Sequence, residues 1–267
     1  MGLVDQKQRQ SLHTAARATC IALLLALSAC AGHSHPIVLD QSSQPALRVI
    51  GLPQFDDQKR IDVRRENPVY AIIGLSAKAL QQVVREHHRI KYQDANPSLH
   101  RYCVTRMRRN IKRRLQKLGY RVRDLDMTYW QAQTAYRKKD PRLAGVNALL
   151  RVKIKRFGYF SASPYKPYRP GMVVTADLIS TSARKVISSN VYNVGYDPKD
   201  ISRYEFQVNY MTNIHVADKR YFYRDFKTLM AHARASSRGL KFIVNVAAES
   251  VAGDLRKRRY SYAMADR

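Results

Sequence analysis

From Leu99 the apolar positions recur every fourth residue, through Cys103, Met107, Ile111 and Leu115, and that spacing predicts a helix with one buried side. Asn96-Pro97-Ser98 supplies its start signal and Gly119 its stop, because serine caps a first turn and glycine accepts the backbone that ends a last one. Tyr120 to Leu125 then reads as a short strand. Upstream, Ala46 to Leu52 is nearly continuous in apolar residues and ends at Pro53, as expected of a first strand buried on both sides. Residues 54–74 are charged, interrupted by Pro68, and read as a long loop. A helix is expected from about Leu75, with Leu80, Val83 and Val84 as its apolar stripe opposite Gln81, Arg85 and His88.

A short helix is expected within Asp126 to Arg142, around Met127, Trp130 and Ala135. The next stretch alternates: Leu150, Val152 and Ile154 point one way, Arg151, Lys153 and Lys155 the other, the pattern of a strand with one face on a core and one in water. After a loop at Ser161 to Gly171, strands at Met172 to Ser180 and Lys185 to Val194 flank the turn Thr181-Ser182-Ala183-Arg184 and predict a hairpin. A polar connection, Gly195 to Arg220, leads to a terminal helical region with the stripe Leu240, Ile243, Ala247 and Val251, which Gly239 is placed to divide. The element order predicts one α/β domain over residues 46–256, with a mixed sheet of about five strands, a hairpin and packing helices. Residues 257–267 form a basic C-terminal tail.

The first forty-five residues change the picture of where such a domain works. The apolar run Thr19 to Ala29 follows Lys7, Arg9 and Arg17; it has the length of a signal-peptide core and falls short of the roughly twenty residues that span a bilayer. It closes on Leu27-Ser28-Ala29-Cys30, which resembles the lipobox of bacterial lipoproteins. That resemblance implies removal of residues 1–29, acylation of Cys30, and, with Ala31 rather than aspartate next, attachment to the outer membrane facing the periplasm. Residues 30–45, with His33, His35, Ser42, Ser43 and Pro45, read as a flexible tether.

Charge is the second surprise. The chain carries a formal +28, and loss of the leader, with its three cations and one carboxylate, leaves about +26. In a cytoplasm that excess would point to nucleic acid; in an envelope the polyanions at hand are lipid headgroups, lipopolysaccharide and peptidoglycan. Nucleic acid is therefore not the expected partner. With Cys20 in the leader and Cys30 acylated, Cys103 has no partner for a disulfide and is expected to be a buried small hydrophobe.

The densest cationic feature is the outer side of the helix from Leu99: Arg101, Arg106, Arg108, Arg109, Lys112, Arg113, Arg114 and Lys117. Clustered guanidiniums pair bidentately with carboxylates and phosphates, so this side is the candidate surface for a polyanion or a protein partner. Tyr165, Tyr168 and Arg169 in the 161–171 loop combine rings with a cation and are candidates for a partner or sugar contact. Glu86-His87-His88 does not converge on a metal, since adjacent helix residues diverge by about 100°. His100 and Cys103 share a helix side, and Asp56-Asp57 sits in the charged loop. No Gly-x-Ser-x-Gly elbow, His-Glu-x-x-His motif or phosphate-cradling glycine loop occurs. No catalytic residue, cofactor or metal site is expected.

Taken together, the lipobox, the strand Leu47 to Leu52, the unit Ile111 to Val122 and the strand plus hairpin Ala148 to Tyr192 resemble envelope lipoproteins with a fold similar to the TolB amino-terminal domain. That broad group includes curli-secretion-type lipoproteins and lipoprotein activators of penicillin-binding proteins. The resemblance implies a non-catalytic, partner-binding domain in envelope assembly or maintenance; the alternatives are a subunit of an outer-membrane secretion assembly and, behind it, a nucleic-acid-binding protein. The basic charge and the 54–74 insertion depart from that pattern.

Overall fold

The computed structural model describes residues 36–39, 47–57, 59–65, 75–195, 212–216 and 218–256. The leader, Cys30, His33, His35, most of the tether, part of the 54–74 insertion and the basic tail lie outside the described residues.

The spine of the molecule is the hairpin. Strand β4 (Ala148–Ser161) pairs antiparallel with β5 (Arg169–Ser180), and β5 with β6 (Val186–Val194). Strand β1 (Val49–Gln54) lies parallel to both β4 and β3 (Arg121–Thr128). Two short strands complete a seven-stranded mixed sheet: β2 (Asp62–Arg65), parallel to the far half of β4, and β7 (Thr212–Ile214), parallel to β6. Neither was legible in the sequence. β2 is four residues and β7 three, both in polar surroundings, so neither develops a period-two pattern.

Helices α1 (Leu75–Ala95), α2 (Leu99–Lys117), α3 (Tyr129–Arg137), α4 (Phe226–Ala231) and α5 (Ala233–Gly253) follow. The α2 stripe Leu99, Cys103, Met107, Ile111 and Leu115 packs with α5 residues Leu240, Ile243, Ala247 and Val251 over the β4 side chains Leu150, Val152 and Ile154. On the other face Leu149 belongs to a smaller cluster with Leu125, Met127, Ala132, Ala135 and Val146, beneath α3. Gly239 does not divide the last helix. It sits inside α5 because a Cβ there would lie 2.6 Å from the Tyr159 hydroxyl and 3.0 Å from Tyr221; the break falls earlier, at His232. Burial pushes the Cys103 thiol up to about 12, so it is inert, as expected of a packed hydrophobe. His100 meets the edge of the Phe157 ring. Of the tether, residues 36–39 are described, and Ile37 exchanges two backbone hydrogen bonds with Ser189 of β6, at 2.8 and 2.9 Å.

Helix α1 overturns its sequence pattern. Leu80, Val83, Val84 and Ile90 are exposed, Val83 to 66%, while the side expected to face water holds the helix in place. Gln81 donates to the Arg65 carbonyl, Arg85 pairs with buried Asp62 at 2.6 Å, and His88 stacks on Phe226 with ring centroids 3.6 Å apart. Tyr92 is fully buried and shares a 2.6 Å hydrogen bond with Ser236 of α5, whose backbone carbonyl also accepts from Tyr159 at 2.8 Å. The apolar residues were the stronger periodic signal, but the polar ones have specific partners in β2, α4 and α5.

The His88 contact has a pH signature. Burial, helped by the neighbouring positive charges of His87, Arg65 and Lys91, lowers the ring from 6.5 to about 4. The unfolded chain therefore takes up a proton between pH 6.5 and 4 that the folded chain refuses, and stability falls as pH falls through that window. Solvent screening of a half-buried ring limits the effect to about 1 kcal/mol. His88→Phe keeps a stacking ring without the proton, so its melting temperature is expected to fall less than the parent's between pH 7 and 4.5. Equal slopes would assign the acid sensitivity elsewhere.

Candidate functional site

Helix α2 presents its cations in three groups rather than one, and the division follows from helical geometry. With about 100° between successive residues, the buried stripe centres on Met107 and Ile111, and each cation falls either on a flank beside that stripe or on the crest opposite it. Along one flank Arg108 donates to the Leu52 carbonyl at 2.8 Å and the Leu125 carbonyl at 3.2 Å, and with Lys112 it pairs with Asp124 of β3. Along the other, Arg106 donates to the Asn245 side chain at 3.0 Å and Arg114 pairs with Glu249 at 2.8 Å, both partners on α5. These four side chains fasten the helix to its neighbours. They are not available in full to an outside ligand.

The crest consists of Arg101, Arg109, Arg113 and Lys117, all exposed. None of the four makes an ion pair or side-chain hydrogen bond among the described residues. Sixteen residues separate first from last, so the band runs about 24 Å along the helix. Tyr102 lies beside it, its ring under the Lys241 ammonium at 4.9 Å and its hydroxyl accepting from Arg106 at 3.0 Å. An array of unneutralised guanidiniums on a rigid, well-buried helix suits an extended polyanion, since no internal carboxylate has to be displaced first. The sequence identified the helix and its basic side, but not the subdivision. Asp124, Asn245 and Glu249 are what separates flank from crest, and they lie 7 to 132 residues beyond Lys117, out of the reach of helical periodicity.

The aromatic loop divides as well. Tyr165 is 96% exposed, as a contact residue needs to be. Tyr168 is not: it is fully buried, its backbone pairs with Tyr223, and the Arg65 guanidinium lies 4.9 Å over its ring. The expectation that Tyr168 meets a ligand is thus corrected; its backbone bridge to Tyr223, just ahead of β5, turns it into the core. Arg169 lies half-buried, its guanidinium 4.8 Å over the Phe222 ring. Candidate residues Tyr165 and Arg169 therefore do not form one surface with Tyr168. His87 is exposed and His88 packs on Phe226; among the described residues no group of three metal-ligating side chains occurs. Nor is any described helix long and apolar enough to cross a membrane.

No family model matches the chain, and no curated protein matches it. Solved structures that it resembles include the PelC dodecamer from Paraburkholderia phytofirmans, at 11% identity over 85% of this chain and 95% of that one, with a TM-score of 0.37. Protein XCC0632 from Xanthomonas campestris, of the DUF330 family, aligns at 10% identity over 77% of this chain and 81% of that one, also at 0.37. Lipoprotein GNA1162 from Neisseria meningitidis aligns at 10% identity over 55% of this chain and 81% of that one, at 0.27.

Proposed function

We propose that this chain is a non-catalytic, lipid-anchored protein of the bacterial outer membrane, held through Cys30 and facing the periplasm, whose α2 crest binds a polyanionic component of the envelope. Peptidoglycan, with its peptide carboxylates, is the ligand we favour, and the role is that of a scaffold or regulatory module in envelope assembly or maintenance. The TolB-like reading of the domain belongs to this proposal and rests on element order. The observation that carries it is the crest itself: Arg101, Arg109, Arg113 and Lys117 stand exposed and unpaired along one helix while the flanking cations are committed to Asp124, Asn245 and Glu249.

The test separates crest from flank. In the full chain, reversal of all four crest residues to glutamate is expected to cut co-sedimentation with purified sacculi at least tenfold, with the melting temperature unchanged within about 2 °C, because exposed substitutions away from special contacts cost little. Added salt is expected to weaken the parent's binding in the same assay, as exposed charges are screened beyond roughly 10 Å at 0.1 M. Arg108→Glu with Lys112→Glu, by contrast, sets like charges around Asp124 and is expected to lower the melting temperature. Undiminished sedimentation of the crest variant would remove the crest from the mechanism.

A further inference from the structure

A second cationic feature lies on the α3 side of the sheet and owes nothing to α2. The end of α3, the turn that follows it and the β5–β6 hairpin turn enclose a hollow of about 380 Å3, walled by Tyr136, Arg137, Lys139, Leu143, Thr181 and Arg184. A smaller hollow of about 80 Å3 continues it between α3 and the sheet and adds Tyr129 and Gln133 to the wall. The larger volume falls within the roughly 300–1,000 Å3 typical of small-molecule sites.

Three properties of the wall point to an acidic ligand. Arg137, Lys139 and Arg184 are exposed and enter no ion pair among the described residues. The carboxylate on this rim, Asp140, is spent: Arg142 holds it through contacts of 2.6 to 3.1 Å and pulls it down to about 2. Second, Lys139 and Arg184 both have left-handed backbones, φ 54 and φ 53, and of the described non-glycine residues with positive φ only Lys59 lies elsewhere. Such a backbone is unfavourable for a residue with a Cβ; Lys139 follows the end of α3 and Arg184 sits in the hairpin turn, positions normally filled by glycine or asparagine, and here both deliver a cation to the same concavity. Strained residues that persist cluster where a ligand is clamped. Third, Tyr136, Pro141 and Leu143 offer an apolar wall for the body of an organic molecule beside the charges.

We propose that this hollow binds a small acidic organic molecule, its phosphate or carboxylate groups held among Arg137, Lys139 and Arg184 and its body resting on Tyr136 and Pro141. The full chain is titrated calorimetrically with glucose 6-phosphate, glucuronate and glucose, and followed in parallel by the fluorescence of Trp130, the single tryptophan, one residue from pocket-lining Tyr129. Saturable one-to-one binding of at least one of the two acids, at least tenfold tighter than glucose, is expected; which acid prevails assigns phosphate or carboxylate as the natural group. Lys139→Gly with Arg184→Gly removes two cations and the two left-handed side chains together, so binding is expected to fall at least tenfold while the melting temperature stays equal or rises. That combination excludes unfolding as the cause. No saturation by either acid, glucose binding as well as they do, or an equal loss in Arg109→Ala on the α2 crest would each overturn the proposal. Because the crest assay reads sacculi and this one reads small acids, failure of either leaves the other standing.

Discussion

Gly158→Ala is expected to cost more than about 4 kcal/mol, most of the margin of an ordinary domain, and to leave the chain largely insoluble or its melting temperature lower by roughly 8 °C or more. Gly158 of β4 is opposite Asp62 of β2, and a Cβ there would stand 1.8 Å from the Asp62 carbonyl oxygen and under 3 Å from the Asp62 backbone nitrogen and carbon. No side-chain rotation relieves a clash between backbone atoms. β2 must either separate from β4 or drag β4 out of register with β5, to which it is bonded along its length. Gly253→Ala is the control: Gly253 is the last residue of α5 and nothing comes within 4 Å of its Cβ, so its melting temperature is expected to hold or rise slightly. A Gly158→Ala protein that melts within 2 °C of the parent would show that β2 is not packed on β4 as described.

The second large effect is at the same residue of that small strand, through its side chain instead of its backbone. Arg85→Ala is expected to destabilise by about 2 to 3 kcal/mol. Asp62 is 3% exposed and its Oδ2 takes a 2.6 Å ion pair from Arg85, while Oδ1 has no hydrogen-bond partner among the described residues. Removing the guanidinium leaves a carboxylate in the interior with little to offset its lost hydration. We set the figure below the 3 to 5 kcal/mol of a fully enclosed pair because the Arg85 side chain keeps 31% of its exposure. Leu80→Ala and Val83→Ala on the same helix are expected to stay within about 0.5 kcal/mol. Adding Asp62→Asn to Arg85→Ala should recover part of the loss, since the stranded charge goes with it, and a chemical-denaturation cycle over the four proteins measures that coupling. Purely additive losses would mean that the pair does not hold α1.

That contrast shows where reading from sequence stopped. The α2 stripe, the alternation of Leu150 to Lys155, the hairpin around Thr181 to Arg184 and the terminal stripe through Val251 all express one period over several turns or rungs, and each was legible. Helix α1 also has a clear period, but its inward side is made of Gln81, Arg85, His88 and Tyr92, chosen by individual partners at Arg65, Asp62, Phe226 and Ser236. A pattern that scores hydrophobicity assigns such a helix the wrong side. β2 was hidden for a related reason: its fit depends on the missing side chain of Gly158, almost a hundred positions later. At the candidate site, the sequence found the cations of α2 but not their division, which depends on carboxylates and an amide supplied by β3 and α5. The hollow beneath the hairpin left one trace, an arginine where a tight turn ordinarily has glycine, and a single such residue has no partner to be read against until Lys139 comes beside it in space.

The backbone exchange between Ile37 and Ser189 also bears on how copies of this protein coexist. A bordering strand with bare amide and carbonyl groups is a template on which another molecule can add its own. β7 occupies part of that border on β6, and the residue at position 37 caps a rung that β7 does not reach. A chain shortened to begin just after position 37 would keep Leu39 in its interior yet gain an open seam, and its fate would be decided by crowding rather than by folding.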